Sequence, residues 1–168
     1  MKFVYDDGGR VAAGFKGKTG DCVCRAIAIA TDRPYREVYD ALWNANHQYA
    51  STHRGRVARK IKLGGGRRGT SPRNGIFRQV SRLYLKSLGW KWTPTMRIGQ
   101  GCKVHLRADE LPAGRLIVSV SHHLVAVIDG VIHDTHDCSR DGTRCVYGYF
   151  SLPSSTATQP KGKRNAHR

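Results

Sequence analysis

An α+β domain is the fold class this sequence predicts, and three observations carry it. The first half holds apolar residues at helical spacing, and from Trp90 onward the period changes to two. Asp129-Gly130 stands between two β-branched runs, the preferred two-residue hairpin turn. Helices followed by an antiparallel sheet is the α+β order. The 168 residues suit one domain, drawn over 1–153, and the Ser/Thr-rich, basic segment 154–168 reads as a disordered tail.

In chain order, residues 1–18 read as a short strand or arm. Asp21 is a good N-cap for a helix over Cys22 to Thr31, which is small and apolar all round except for Arg25. A helix of that kind belongs in the middle of a domain. Asp32-Arg33-Pro34 reads as a cap with Pro in the first turn. Tyr35, Val38, Tyr39, Leu42 and Trp43 then predict an amphipathic helix over 33–46. Residues 50–74 surround Gly64-Gly65-Gly66 with cations and read as a mobile basic loop. Ser71 or Asn74 caps a third helix with Ile76, Val80, Leu83, Tyr84 and Leu88 on one face, and Gly89 stops it. Strands follow around Trp90–Trp92, Lys103–Leu106, Leu116–Ser121, Leu124–Ile128, Val131–Thr135 and Val146–Phe150.

Charge narrows the partners. Lys and Arg total 29 against 12 Asp and Glu, a formal charge of +17, and no carboxylate interrupts the stretch between Asp40 and Asp109. Such a stretch attracts polyanions. Arg54, Arg56, Arg59, Lys60, Lys62, Arg67 and Arg68 in the loop form a candidate nucleic-acid footprint with Arg78, Arg82 and Lys86 on one helix face. Trp90 and Trp92 beside that helix suit packing of a sheet against it better than base stacking. No apolar run reaches the ~20 residues of a membrane span, and the N-terminus has no signal-peptide pattern, so a cytosolic chain is expected. Five cysteines without an export signal argue against a disulfide framework and for free thiols.

The chemistry concentrates on Cys22, His123 and Asp134. Cys22 opens a buried helix, where the unpaired N–H groups and the dipole favour a thiolate. With Asp129-Gly130 as the turn, Ile128 pairs with Val131 and Val125 with Asp134. His123 and Asp134 then share one sheet face as diagonal neighbours. A carboxylate so placed holds the imidazole while its other nitrogen meets a thiol. Cys24 lies about 200° around the helix from Cys22 and reads as core. His122 points to the opposite face from His123.

These residues resemble a known arrangement. Thr19-Gly20-Asp21-Cys22-Val23-Cys24-Arg25-Ala26 opening a central helix, with His123 and Asp134 downstream, looks like the papain-like cysteine peptidase fold. More narrowly, Gly20 to Leu42, Ser71 to Trp92 and His105 to Tyr149 resemble a group of small uncharacterised proteins of tailed bacteriophages. The resemblance implies N-terminal helices packed on a C-terminal antiparallel sheet. It also implies Cys22 as nucleophile, His123 as base and Asp134 as orienting group. Its setting is the cytoplasm of an infected bacterial host. The expected reaction is acyl transfer through a thioester, with a protein or peptide substrate. Papain-like enzymes usually carry a Gln before the nucleophile, and residues 14–20 hold none. Oxyanion stabilisation is therefore expected from the Cys22 N–H, assisted by Thr19, Lys16 or Lys18.

Two other uses compete for these residue types. Cys102 and His105, His133 and His136, and nearby Cys138 and Cys145 offer zinc ligands, but the spacing is loose and lacks a paired-Cys knuckle. No metal or cofactor is therefore expected. The second alternative is a nucleic-acid-binding protein on an inactive peptidase-like scaffold.

Overall fold

The computed structural model describes residues 1–17, 19–66 and 68–153. The expected tail at 154–168, Lys18 and Arg67 lie outside the described residues.

Four helices pack beside a six-stranded mixed sheet, as the α+β class requires. The elements are β1 (Lys2–Tyr5), α1 (Cys22–Thr31), α2 (Tyr35–Thr52), α3 (Arg56–Leu63), α4 (Arg78–Ser87), β2 (Lys91–Pro94), β3 (Arg115–Val120), β4 (His123–Ile128), β5 (Val131–Asp134) and β6 (Val146–Ser151). A 3-10 turn over Pro72–Asn74 precedes α4. The sheet order is β1-β5-β4-β3-β6-β2. The expected all-antiparallel sheet needs correction: β1 pairs with β5 in parallel, while the other pairs are antiparallel. A strand at the chain start can enter the sheet beside β5 in either sense, and no local turn signal fixes its direction.

Alternation along the strands builds two cores. On one face Ile117, Ala126 and Phe150 meet the helices through Ile27, Leu42 and Val80. On the other, Leu116, Val118, Val125, Val127 and Ile132 are covered by Leu106, Leu111 and Cys138. Burial on both faces explains why β3 and β4 read as nearly continuous apolar runs. The all-apolar α1 fits the same logic, since it crosses β3, β4 and β5 with α2 on its other side.

Several boundaries differ from expectation. Residues 50–74 are not a loop throughout: α2 continues to Thr52, and α3 buries Ala58 and Ile61. The charged residues between those positions hide their three-residue spacing, and Gly55 and Gly64 bound the helix at positive φ. On α4, Leu85 takes the buried position while Leu83 is exposed. Asp32 closes α1 in a left-handed conformation instead of capping α2. Asp21 makes no side-chain cap on α1, because its carboxylate is committed to other partners described below.

The expectation of free cysteines also needs correction, since Cys102 and Cys145 form a disulfide. Lys103–Leu106 is not a strand but a segment zipped to the chain before β6. Leu106 N–H donates to the Arg144 carbonyl, Val146 N–H donates to the Val104 carbonyl, and His105 bridges Cys145. That pairing sets the two cysteines 5.8 Å apart at Cα, inside the usual disulfide range. The bond staples the cover of the second core.

Candidate active site

Three elements deliver the three residues. Cys22 is the first residue of α1, His123 the first of β4, and Asp134 the last of β5. The hairpin has the expected register, with Ile128 opposite Val131, Val127 opposite Ile132 and Ala126 opposite His133. Asp129 and Gly130 turn it with positive φ at both positions, the mirror-type turn that suits twisted strands. Continuing that register puts His123 and Asp134 diagonally on one face. His123 Nε2 lies 2.5 Å from Asp134 Oδ2, and the Cys22 thiol lies near enough to the same ring for each to shift the other's titration. With Nε2 engaged by the carboxylate, Nδ1 is the ring nitrogen left free of it. His122 sits in the preceding turn at φ 57°, exposed, so the histidine in the site is His123.

Electrostatics separate this thiol from its neighbours. Burial opposes a charged Cys22, but the His123 hydrogen bond and charge, the Leu124 N–H and Arg25 together bring its pKa below the usual thiol value. Burial likewise opposes a charged His123, yet hydrogen bonds with Asp134, Cys138 and Cys22 push its pKa up to about 11. Asp134 is held below the carboxylate range despite burial, by His123, the Thr135 N–H and Arg25. All three shifts favour a thiolate–imidazolium pair backed by a carboxylate. Cys24 shows the contrast: burial dominates there and pushes its pKa up to about 12.

A buried ionic network that the sequence reading did not assign lies behind these three residues. Arg25 contacts Asp21 Oδ1 through one guanidinium nitrogen and Asp134 Oδ1 through another at 3.2 Å. Asp21 also meets Arg10 Nε at 3.0 Å and accepts from the Tyr35 hydroxyl at 2.6 Å. Arg25 thus ties the start of α1 to the end of β5, the two elements that carry Cys22 and Asp134. Its signal was visible as the lone charge of an apolar helix, four residues after Asp21. Cys138, offered by the sequence only as a zinc ligand, is buried beside His123.

The candidate oxyanion groups fare unequally. Cys22 keeps its place at the helix start, whereas the Thr19 hydroxyl donates to the Arg73 carbonyl at 2.5 Å, which commits its one proton. Lys16 is exposed, and its carbonyl accepts from Arg10.

The thiol opens into a cleft of about 1220 Å³. Lys60 of α3, Arg68, and Arg78 and Arg82 of α4 line the same cleft as Cys22 and His123. Two of the three residues of the basic helix face, Arg78 and Arg82, therefore share a cleft with the thiol. Arg54, Arg56, Arg59, Lys62 and Lys86 are exposed and do not line it. Trp90 is buried in the first core, as a packing role requires, while Trp92 forms part of the cleft wall. Two glycines seat the aromatic walls: a Cβ on Gly148 would lie 2.4 Å from the Trp92 ring, and one on Gly69 would lie 2.4 Å from Phe77.

The zinc alternative loses its ligands. Cys102 and Cys145 are joined to each other, and His133 faces Asp6 at 3.4 Å. Among the described residues, His123, Asp134 and His136 bring ligand atoms within 4.8 Å of one another. Asp134 already binds the His123 ring and Arg25, so this set is charge-compensated without an ion.

No protein-family model matches the chain, and neither does a curated protein or a solved structure. Among the described residues, no helix is long and apolar enough to cross a membrane.

Proposed function

We propose that the protein is a papain-like thiol enzyme that transfers acyl groups through a Cys22 thioester. The observation that carries this reading is Cys22 beside the His123–Asp134 hydrogen bond, with the thiol and the imidazole both lining a cleft large enough for a substrate segment. The order of nucleophile at a helix start, then histidine and aspartate on adjacent strands, supports the papain-like reading. A bacteriophage origin, with the cytoplasm of an infected bacterium as setting, rests on the sequence resemblance alone.

The chemistry follows from the charge state. The Cys22 thiolate attacks the carbonyl carbon of an amide, and the developing oxyanion faces the N–H groups at the start of α1. Collapse breaks the C–N bond, and the leaving amine takes the proton held by His123 Nδ1. His123, now neutral, removes a proton from water, or from an acceptor amine, as it attacks the thioester. Expulsion of the thiolate restores the ion pair. Asp134 keeps the ring in the tautomer and orientation both steps need.

An activated acyl ester tests this directly. Incubation with p-nitrophenyl acetate should release a burst of p-nitrophenolate equal to the enzyme and leave an acetyl group on Cys22 that hydroxylamine discharges. Labelling shared evenly among Cys22, Cys24 and Cys138, or absent from Cys22, removes the proposal.

A second reading is nucleic-acid binding, favoured by the exposed cations of α3 and α4 that lie outside the cleft. It needs no thiol chemistry and is separable by a retention assay.

A further inference from the structure

The cleft is charged in one sense only. Its lining includes Lys60, Arg68, Arg78 and Arg82 and no Asp or Glu. Arg10 and Arg25, also on the lining, are neutralised by Asp21 and Asp134. Among the described residues, none of the other four makes an ion pair.

Two details set these cations apart. Arg78 and Arg82 lie one helical turn apart on α4 with no carboxylate between them, and like charges at that spacing repel. Arg82 is stacked over the Trp92 ring at 4.4 Å, which holds its guanidinium on the cleft wall. Its Nε is buried without a hydrogen-bond partner. An anionic oxygen ligand bound between the two guanidinium groups relieves that repulsion.

The site's size and chemistry narrow the ligand. A cleft of about 1220 Å³ exceeds the ~300–1,000 Å³ of ordinary small-molecule pockets. Phe77 and Trp92 add apolar wall beside the cations. A thiolate in the same cleft needs an acyl carbon, which a peptide supplies and a nucleic-acid phosphodiester does not. We propose that the segment seated here is an acidic peptide, its carboxylates meeting Lys60, Arg68, Arg78 and Arg82 while an acyl carbon lies at Cys22. This substrate class rests on the thiol-enzyme reading above.

The test has a binding arm and a labelling arm. Fluorescent Glu-rich, Gln-matched and Lys-matched peptides of equal length are titrated against the Cys22→Ala protein at ~150 mM salt. The Glu-rich peptide should bind at least ten times more tightly than the Gln-matched one. That ratio should shrink several-fold in R78Q/R82Q and also fall for the unsubstituted cleft as salt rises. The same peptides carrying a vinyl sulfone are then offered to the wild-type protein, where the acidic probe should label Cys22 at least ten times faster. If all probes label Cys22 at equal rates and bind equally, the acidic-peptide proposal is overturned and the enzyme stands. If binding favours the acidic peptide but Cys22 is never labelled, the enzyme reading falls and the cleft remains an acidic-peptide site. If a single-stranded DNA or RNA of equal charge displaces the acidic peptide at this salt, the cleft belongs to nucleic acid and the proposal is overturned.

Discussion

Replacing Arg25 with Met should loosen the molecule at the joint between α1 and β5. The side chain is 9% exposed and binds two carboxylates, Asp21 just before α1 and Asp134 at the end of β5. Removing one partner of a buried ion pair costs about 3–5 kcal/mol. Neither carboxylate is left bare here, since Asp21 keeps Arg10 and Tyr35, and Asp134 keeps His123 and the Thr135 N–H. The loss should therefore fall at the lower end, about 3 kcal/mol, which in a domain of this size lowers Tm by about 9 °C. Arg25→Lys should fall between wild type and Met, because an ammonium cannot fork across both acids as a guanidinium does. Urea titration followed by circular dichroism measures the change as a shifted midpoint at constant slope. A loss under about 1 kcal/mol for Arg25→Met would show that the network does not join the two elements.

Further outcomes follow from the same geometry. Asp134→Asn should lower the His123 pKa from about 11 toward its ordinary value. The raised pKa keeps the imidazolium protonated, and amine departure needs that proton, so its loss should move the alkaline limb of acylation by a peptide p-nitroanilide to lower pH. An unmoved limb would detach Asp134 from the base. Reducing the Cys102–Cys145 bond, which closes a separation of 43 residues, should remove about 4 kcal/mol by the loop-entropy relation. Urea midpoints with and without reductant measure this, and unchanged midpoints would mean that the staple constrains nothing. Replacing Arg54, Arg56, Arg59, Lys62 and Lys86 with Gln should flatten the salt dependence of DNA and RNA retention. A wild-type protein that retains neither at ~150 mM salt would reject the nucleic-acid reading.

Local signals carried much of this architecture. The bounds of α1 were legible because an apolar run began after Asp21 and ended before the Asp-Arg-Pro break. The β4–β5 register was legible because Asp129-Gly130 leaves one way to pair its flanks, and that register puts His123 beside Asp134. What was hidden depends on distant partners. Asp21 looked like a cap because its sequence neighbours suit one, but Arg10, Arg25 and Tyr35 compete for its carboxylate and win. The parallel β1, the 102–145 disulfide and the joining of the basic helix face to the thiol all arise from contacts between remote segments. α3 was hidden differently, since only Ala58 and Ile61 are buried among its charges.

The central claim is that Cys22 exists as a thiolate paired with the His123 imidazolium. Iodoacetamide alkylation, mapped by mass spectrometry for Cys22, Cys24 and Cys138 between pH 5 and 9, tests it most directly. Cys22 should react far faster than the other two, with a rate still near its plateau below the ordinary thiol range of ~8.5. The His123→Ala protein should lose that acid-side reactivity and follow an ordinary thiol titration. A Cys22 rate that matches Cys138, or that His123→Ala leaves unchanged at pH 6, would contradict the account.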